Sequence, residues 1–130
     1  MPVSLPATRG FRLAGAVAAL DYETSRNGTV AVVAATGELD LSGAGPLEAE
    51  LDRLIDDPGL AAVVLDLRGL EFMDSTGLRL VILADRRARD GNTRFALVRG
   101  NDTVQRVFDI TRMAERLDFV DDPGEVGREG

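Results

Sequence analysis

The sequence of 130 residues contains no cysteine, no histidine and no lysine, and all 15 of its basic residues are arginine. Without cysteine the chain has neither disulfides nor a thiolate metal site, which fits a reducing compartment such as the cytoplasm. Without histidine and lysine it lacks the usual base for a serine nucleophile, the lysine of a phosphate-binding loop and the commonest metal ligand. We therefore expect a binding protein without a cofactor or a metal, and not an enzyme.

Long apolar runs and a surplus of positive charge are also missing. The longest apolar runs, at residues 13–20 and 60–65, are far shorter than the roughly 20 residues of a membrane span. The net charge of −7 argues against nucleic-acid binding, because phosphates are neutralised by basic side chains. The sequence thus predicts no membrane span, no nucleic acid, and a protein partner with a complementary basic patch.

The length and a 45% hydrophobic composition indicate one globular domain. We expect a loose lead-in at residues 1–15, the domain at 16–120 and a solvated acidic tail at 121–130. The pattern of apolar residues predicts strands at 16–23, 29–35, 60–67 and 94–98, helices at 46–56, 76–90 and after residue 101 or 102, and a short strand or turn at 117–120. Asn27-Gly28 predicts a hairpin turn, Pro46 a first helical turn, and Gly91 a helix end. The prediction is an α/β fold: a mixed sheet of four or five strands with helices mainly on one face.

Residues 66–78 carry the strongest sign of a functional site. A buried strand is followed by a short loop and by a helix that begins at Asp74 or Ser75. A hydroxyl at a helix N-terminus lies beside free N–H groups and the positive end of the dipole, which tolerate an anion. A phosphate on Ser75 would add about two negative charges to any surface that docks there. Phosphorylation could then change binding without unfolding the domain.

Residues 74–78 (DSTGL), preceded by 63–67 (VVLDL) and by 37–40 (GELD), resemble the STAS-domain anti-sigma-factor antagonists. The resemblance covers about residues 16–120. It implies the STAS fold and a cytoplasmic bacterial phosphoprotein that regulates transcription by partner switching, for example in a stress response. We expect a monomer or a weak dimer.

The resemblance also implies roles for individual residues. In that family the serine after the aspartate is phosphorylated by an anti-sigma factor that is itself a serine kinase, and this serine is Ser75 here. The unphosphorylated form binds the kinase and frees the sigma factor, phosphorylation ends the binding, and a PP2C-type phosphatase reverses it. Asp40 corresponds to an acid of the partner surface.

Simpler structural roles are open for each of these residues. Ser75 is a typical N-cap residue, Asp74 is either a capping acid or a participant in phosphoryl transfer, and Asp40 either caps the first helix or contacts the partner. Thr76 either starts the helix or is a second phosphoacceptor. Gly77 either packs inside or allows a close approach. We include all five in the predicted partner surface.

The helix at 76–90 is predicted to have two different faces. A helical projection places four residues on a side that faces the core: Leu80, Val81, Ala84 and Ala88. Four residues lie on the other side and complete the predicted partner surface: Arg79, Ile82, Leu83 and Arg86. Arginine mixed with aliphatic residues favours a docking face, and an ordinary solvated face is the alternative.

Three functions fit the sequence. The first is the phosphorylation-controlled antagonist, and the second is an unmodified STAS scaffold subunit of a transport or signalling complex. The third is a small hydrolase or nucleotide-binding enzyme with Ser75 as nucleophile, which is disfavoured because no histidine or lysine is available as its base.

Overall fold

The computed structural model describes residues 19–127. The predicted lead-in at 1–15 and the beginning of the strand predicted at 16–23 lie outside the described residues. The elements in chain order are β1 (Asp21–Asn27), β2 (Val30–Leu39), α1 (Leu41–Ile55), β3 (Ala62–Met73), α2 (Ser75–Asp90), β4 (Arg94–Val98), α3 (Asp102–Ile110), a 3₁₀ turn (Met113–Glu115), β5 (Phe119–Val120) and α4 (Gly124–Gly127).

The strands form one sheet in the order β1-β2-β3-β4-β5. β1 is antiparallel to β2, and every other neighbouring pair is parallel. Successive side chains of a strand point to opposite faces, so Val63 and Leu65 join the large core with α1, α2 and α3. Val64 joins a smaller cluster with Ala96 and Val98 on the opposite face. The predicted mixed sheet with helices mainly on one face is confirmed.

The first hairpin extends further than predicted. β1 continues to Asn27, which pairs with Val30, and Gly28 and Thr29 form the turn. Gly28 has a φ of +63°, a conformation that glycine adopts without steric cost. The predicted strand ended at Glu23 because the residues that follow are polar; an edge strand tolerates such residues, and Ser25, Arg26 and Asn27 are exposed.

α1 begins five residues before the predicted start at Pro46. Gly43 and Gly45 lower the helical propensity of this segment, but Asp40 caps the helix and Ala44 is buried against the core. Tertiary packing therefore overrides the local preference.

β3 continues to Met73, beyond the predicted end at residue 67, because it remains paired with β2. Thr36 pairs with Gly69 and Leu39 pairs with Met73, with two register irregularities between Ala34 and Glu38. The extension carries the chain directly to the start of α2.

The later elements agree with the sequence predictions to within about a residue, except at the C-terminus. α2 ends at Asp90 with Gly91 as its C-cap, and Asn101 caps α3 by accepting from the Val104 N–H at 2.8 Å. Within the tail predicted from residue 121, α4 forms a helical turn that buries Val126 in the smaller cluster, while Asp121, Asp122 and Gly124 are exposed.

Candidate functional site

The carboxyl ends of β2 and β3 lie side by side, and a helix follows each of them. Leu39 pairs with Met73, and the Asp74 N–H donates to the Leu39 carbonyl at 3.3 Å. α1 begins after Asp40, and α2 begins after Asp74. Parallel pairing thus brings two helix N-termini and both predicted acids to the same end of the sheet.

Asp74 is the N-cap of α2. Its Oδ1 accepts from the N–H of Thr76 at 2.8 Å and from the N–H of Gly77 at 3.3 Å. A carboxylate is favoured here because the first N–H groups of a helix have no partner within it and the dipole end is positive. Of the two roles considered for Asp74, capping is observed. Ser75 is the first helical residue, so the interpretation of Ser75 as the N-cap is wrong.

Ser75 is exposed at the first position of α2. Its hydroxyl has no hydrogen-bond partner among residues 19–127. The sequence-based expectation was that free helix N–H groups would surround a phosphate here. The Asp74 carboxylate already occupies two of them, so these two N–H groups are not free for a phosphate on Ser75.

Gly77 and Thr76 serve the start of the helix. A Cβ on Gly77 would collide with the Met73 Cγ and lie 3.0 Å from the Leu39 Cδ2, because Gly77 is buried against both side chains. Gly77 is therefore a packing residue and does not offer a partner close access. Thr76 is half-buried, and its backbone N–H donates a hydrogen bond to the Asp74 carboxylate.

Asp40 is the N-cap of α1, which is one of the two roles considered for it. Its Oδ1 accepts from the Ser42 N–H at 3.1 Å and from the Ser42 hydroxyl at 2.8 Å. Asp40 is half-buried. The structure therefore brings it to the Ser75 end of the sheet in the same capping role as Asp74.

Two exposed apolar residues at this end were missed by the sequence analysis. Leu41, the first residue of α1, is 79% exposed, and Phe72, near the end of β3, is 41% exposed. They adjoin Asp40 and Met73 in the chain, and Phe72 pairs with Glu38 across the sheet. In the sequence a large apolar residue lies next to each capping segment, which is a sign of an exposed apolar surface. The sequence analysis did not recognise this sign, because it predicted the start of α1 too late and the end of β3 too early.

The outer face of α2 extends the site along the helix. Ser75, Arg79, Ile82 and Arg86 follow one another at i, i+4, i+7 and i+11, so they share one face. Arg79 and Arg86 are exposed, whereas Ile82 and Leu83 are half-buried. The residues predicted to face the core are buried as expected: Leu80, Val81, Ala84 and Ala88.

The site offers a hydroxyl and two capping carboxylates, and no metal centre accompanies them. No group of three or more histidine, cysteine, aspartate or glutamate residues within 19–127 could hold a metal ion.

In the same range no helix has the length and apolar character to cross a membrane. In α1 the pKa of Glu50 is lowered, mainly by the hydrogen bond from the Arg53 side chain.

Comparison with known proteins relates most of the chain to one family. The family model described as "Mlab, STAS domain" matches residues 22–121. BtrV of Bordetella bronchiseptica, which carries the name of an anti-sigma factor antagonist, is 36% identical over 75 residues. The matched region is 58% of this chain and 64% of BtrV, so the chain spans less than two thirds of that relative.

Two solved structures have a similar fold. An anti-sigma factor antagonist from Mycobacterium paratuberculosis superimposes with a TM-score of 0.75 at 24% identity, over 85% of this chain and 95% of that one. The Bacillus cell fate determinant SpoIIAA, in its phosphorylated form, gives a TM-score of 0.66 at 20% identity, over 84% and 99% of the two chains. At these identities the likeness establishes the fold alone.

Proposed function

Because the chain belongs to the STAS domain family, we propose that it is an anti-sigma-factor antagonist controlled by phosphorylation of Ser75. The unphosphorylated chain binds an anti-sigma factor with serine kinase activity, and the sigma factor is released. Phosphorylation ends this binding, and a PP2C-type phosphatase restores it. The observation that carries the proposal is the exposed Ser75 hydroxyl beside the Asp74 cap. The cycle belongs in the cytoplasm, where sigma factors act.

This chain provides the hydroxyl that accepts the phosphate, and the kinase provides ATP and the catalytic groups. The Ser75 Oγ attacks the γ-phosphorus of ATP, the bond from that phosphorus to the bridging oxygen breaks, and ADP leaves. The hydroxyl proton passes to a base of the kinase, because this chain has no histidine or lysine and the Asp74 Oδ1 is engaged in capping. Ser75 therefore needs to be accessible but does not need to be activated by its own fold.

The surroundings of Ser75 support a loss of binding after phosphorylation. The half-buried carboxylates of Asp40 and Asp74 already lie at this end of the sheet, together with the exposed Leu41 and Phe72. A phosphate adds about two negative charges to this apolar and acidic area. A partner surface shaped for the unmodified form would then bury charge beside like charge, which weakens binding.

Arg79 gives the switch a second component. It lies one helical turn after Ser75, at i+4, and makes no ion pair with the described residues. In the unphosphorylated form its guanidinium is available to a partner. In the phosphorylated form the guanidinium can pair with the phosphate. Phosphorylation would then add negative charge to the contact surface and also remove the contact between Arg79 and the partner.

Phosphate mapping tests the assignment of Ser75. The chain is incubated with ATP and the serine-kinase anti-sigma factors of its own organism, and the modified residue is located by mass spectrometry. We expect modification of the wild type and of the Thr76→Ala control, and none of Ser75→Ala. Modification that persists in Ser75→Ala, or that maps to Thr76, contradicts the proposal.

Binding measurements test the switch itself. Ser75→Ala should bind the anti-sigma factor within about two-fold of the wild type, whereas Ser75→Asp should bind at least about ten-fold more weakly because it places a charge in the contact. Equal affinities of the two variants would favour the other function considered, an unmodified scaffold subunit of a transport or signalling complex.

A further inference from the structure

A groove separates the outer face of α2 from the 3₁₀ turn. Its volume is about 420 Å³, and six residues line it: Ile82, Asp85, Arg86, Arg89, Met113 and Arg116. Ile82 and Met113 are half-buried, and the three arginines are exposed. The groove thus combines an aliphatic surface with cationic side chains, at the end of α2 opposite to Ser75.

Most arginines outside this groove in residues 19–127 are ion-paired, and Arg79, Arg106 and Arg112 are the exceptions. Six arginines outside it form ion pairs with N···O distances of 2.6 to 3.0 Å: Arg26–Asp57, Arg53–Glu50, Arg68–Asp66, Arg87–Asp56, Arg94–Asp118 and Arg99–Asp121. Within the groove Arg89 pairs with Asp85 at 2.9 Å and donates to the Arg116 carbonyl at 3.0 Å. Arg86 and Arg116 have no carboxylate partner among the described residues.

The groove is therefore a positive area on an acidic protein. Three arginines and one aspartate leave it with two net positive charges, while the chain as a whole has a net charge of −7. A ligand with carboxylates gains two charge-assisted contacts here, and the rest of the acidic surface disfavours its binding elsewhere. Ile82 and Met113 add an apolar contact, and methionine adapts readily to different aliphatic groups.

We propose that this groove binds an acidic amphipathic helix of a protein partner. An aliphatic side chain of that helix lies between Ile82 and Met113, and carboxylates on its flanks pair with Arg86 and Arg116. Ser75 and Arg86 share one face of α2 and lie about 16 Å apart along its axis, so one partner can contact both. Binding in the groove does not require phosphorylation of Ser75 and goes beyond the proposed switch.

Synthetic peptides test the chemistry of the occupant directly. The probe is a fluorescein-labelled helical peptide of about 14 residues, with leucine on one face and glutamate on its flanks, and the matched peptide has glutamine in place of glutamate. Both are titrated into the full chain at about 50 mM and about 300 mM NaCl, and anisotropy is measured. We expect the glutamate peptide to bind at least about ten-fold more tightly at low salt and to lose most of this advantage at high salt.

Variants and chemical shifts locate the binding. Arg86→Glu and Arg116→Glu should each weaken binding of the glutamate peptide by about five-fold or more. Arg106→Glu should leave it within about two-fold, because Arg106 is exposed and unpaired among the described residues, carries the same charge change and lies outside the groove. Amide shifts should centre on Ile82 and Met113.

Three results would overturn the groove assignment: no binding of the glutamate peptide at low salt, equal affinities of the two peptides, or an equal loss in Arg106→Glu and Arg86→Glu. Peptide binding in the groove together with an unmodified Ser75 would remove the phosphorylation switch and leave this inference intact. The two proposals are thus tested separately.

Discussion

Replacing Gly77 with alanine measures how tightly the start of α2 is packed. Alanine is favoured over glycine inside a helix by about 1 kcal/mol, which alone would stabilise the protein. The new Cβ, however, meets the Met73 Cγ and Leu39, which are 1% and 0% exposed, so neither has an open space to move into. Overpacking of this kind costs about 1–3 kcal/mol. The steric cost exceeds the gain, and we expect a net destabilisation of about 1 kcal/mol.

Gly45→Ala is the matched control because it makes the same change in α1, where a Cβ would meet no atom within 4 Å beyond its chain neighbours and the backbone of its own helix. We expect it to stabilise the protein by at most about 0.5 kcal/mol, because the ring of Pro46 disfavours a Cβ on the helical residue before it. Urea unfolding followed by far-ultraviolet circular dichroism gives both values, with a slope of about 1–3 kcal/mol per molar urea. The two variants should therefore separate clearly. If Gly77→Ala is as stabilising as Gly45→Ala, the contact with Met73 and Leu39 does not constrain the helix start.

Three further predictions concern the cap, the surface and the acid response. Asp74→Ala should destabilise the protein by about 1 kcal/mol in urea unfolding, and Asp74→Asn by clearly less, because asparagine also caps helices. Leu41→Ser with Phe72→Ser should lower the free energy of unfolding by no more than about 1–2 kcal/mol, since Leu41 is 79% exposed and Phe72 is 41% exposed, yet weaken binding to the anti-sigma factor; a larger loss of stability would contradict this. The Arg53 hydrogen bond lowers the pKa of Glu50 in the folded chain below its unfolded value of about 4.3, so its stabilisation is present above that pH and is lost as the pH falls through the lowered pKa. Glu50→Gln should therefore show a smaller drop in melting temperature between about pH 5 and pH 3 than the wild type.

The elements with strong local signals could be predicted from the sequence. α2 has a regular apolar face and a glycine at its end, and its predicted and observed limits agree within one residue. Asn101 similarly marks the start of α3. The position of Ser75 at the start of this helix followed from the same signals, because the apolar face of α2 fixes where the helix begins even though the end of β3 was predicted too early.

The features that were missed depend on contacts between distant parts of the chain. The last residues of β3 are held by β2 across two register irregularities, which no local pattern reveals. α1 starts among glycines because Asp40 caps it and Ala44 reaches the core. The same tertiary contacts bring Leu41 and Phe72 to the end of the sheet where α2 begins, so sequence patterns alone did not reveal the apolar part of the site.

The composition of the edge strand β1 has a consequence for proteins that exchange partners. Among the described residues β1 is the last strand on one side of the sheet, and it carries Asp21, Glu23 and Arg26 among its seven residues. If a second copy paired its β1 with this edge as a sixth strand, the charged side chains of the two strands would lie against each other. Charged side chains on an edge strand oppose such pairing. Aggregation through this edge is thereby discouraged, and the molecules remain free to meet other proteins even when the cell accumulates many of them.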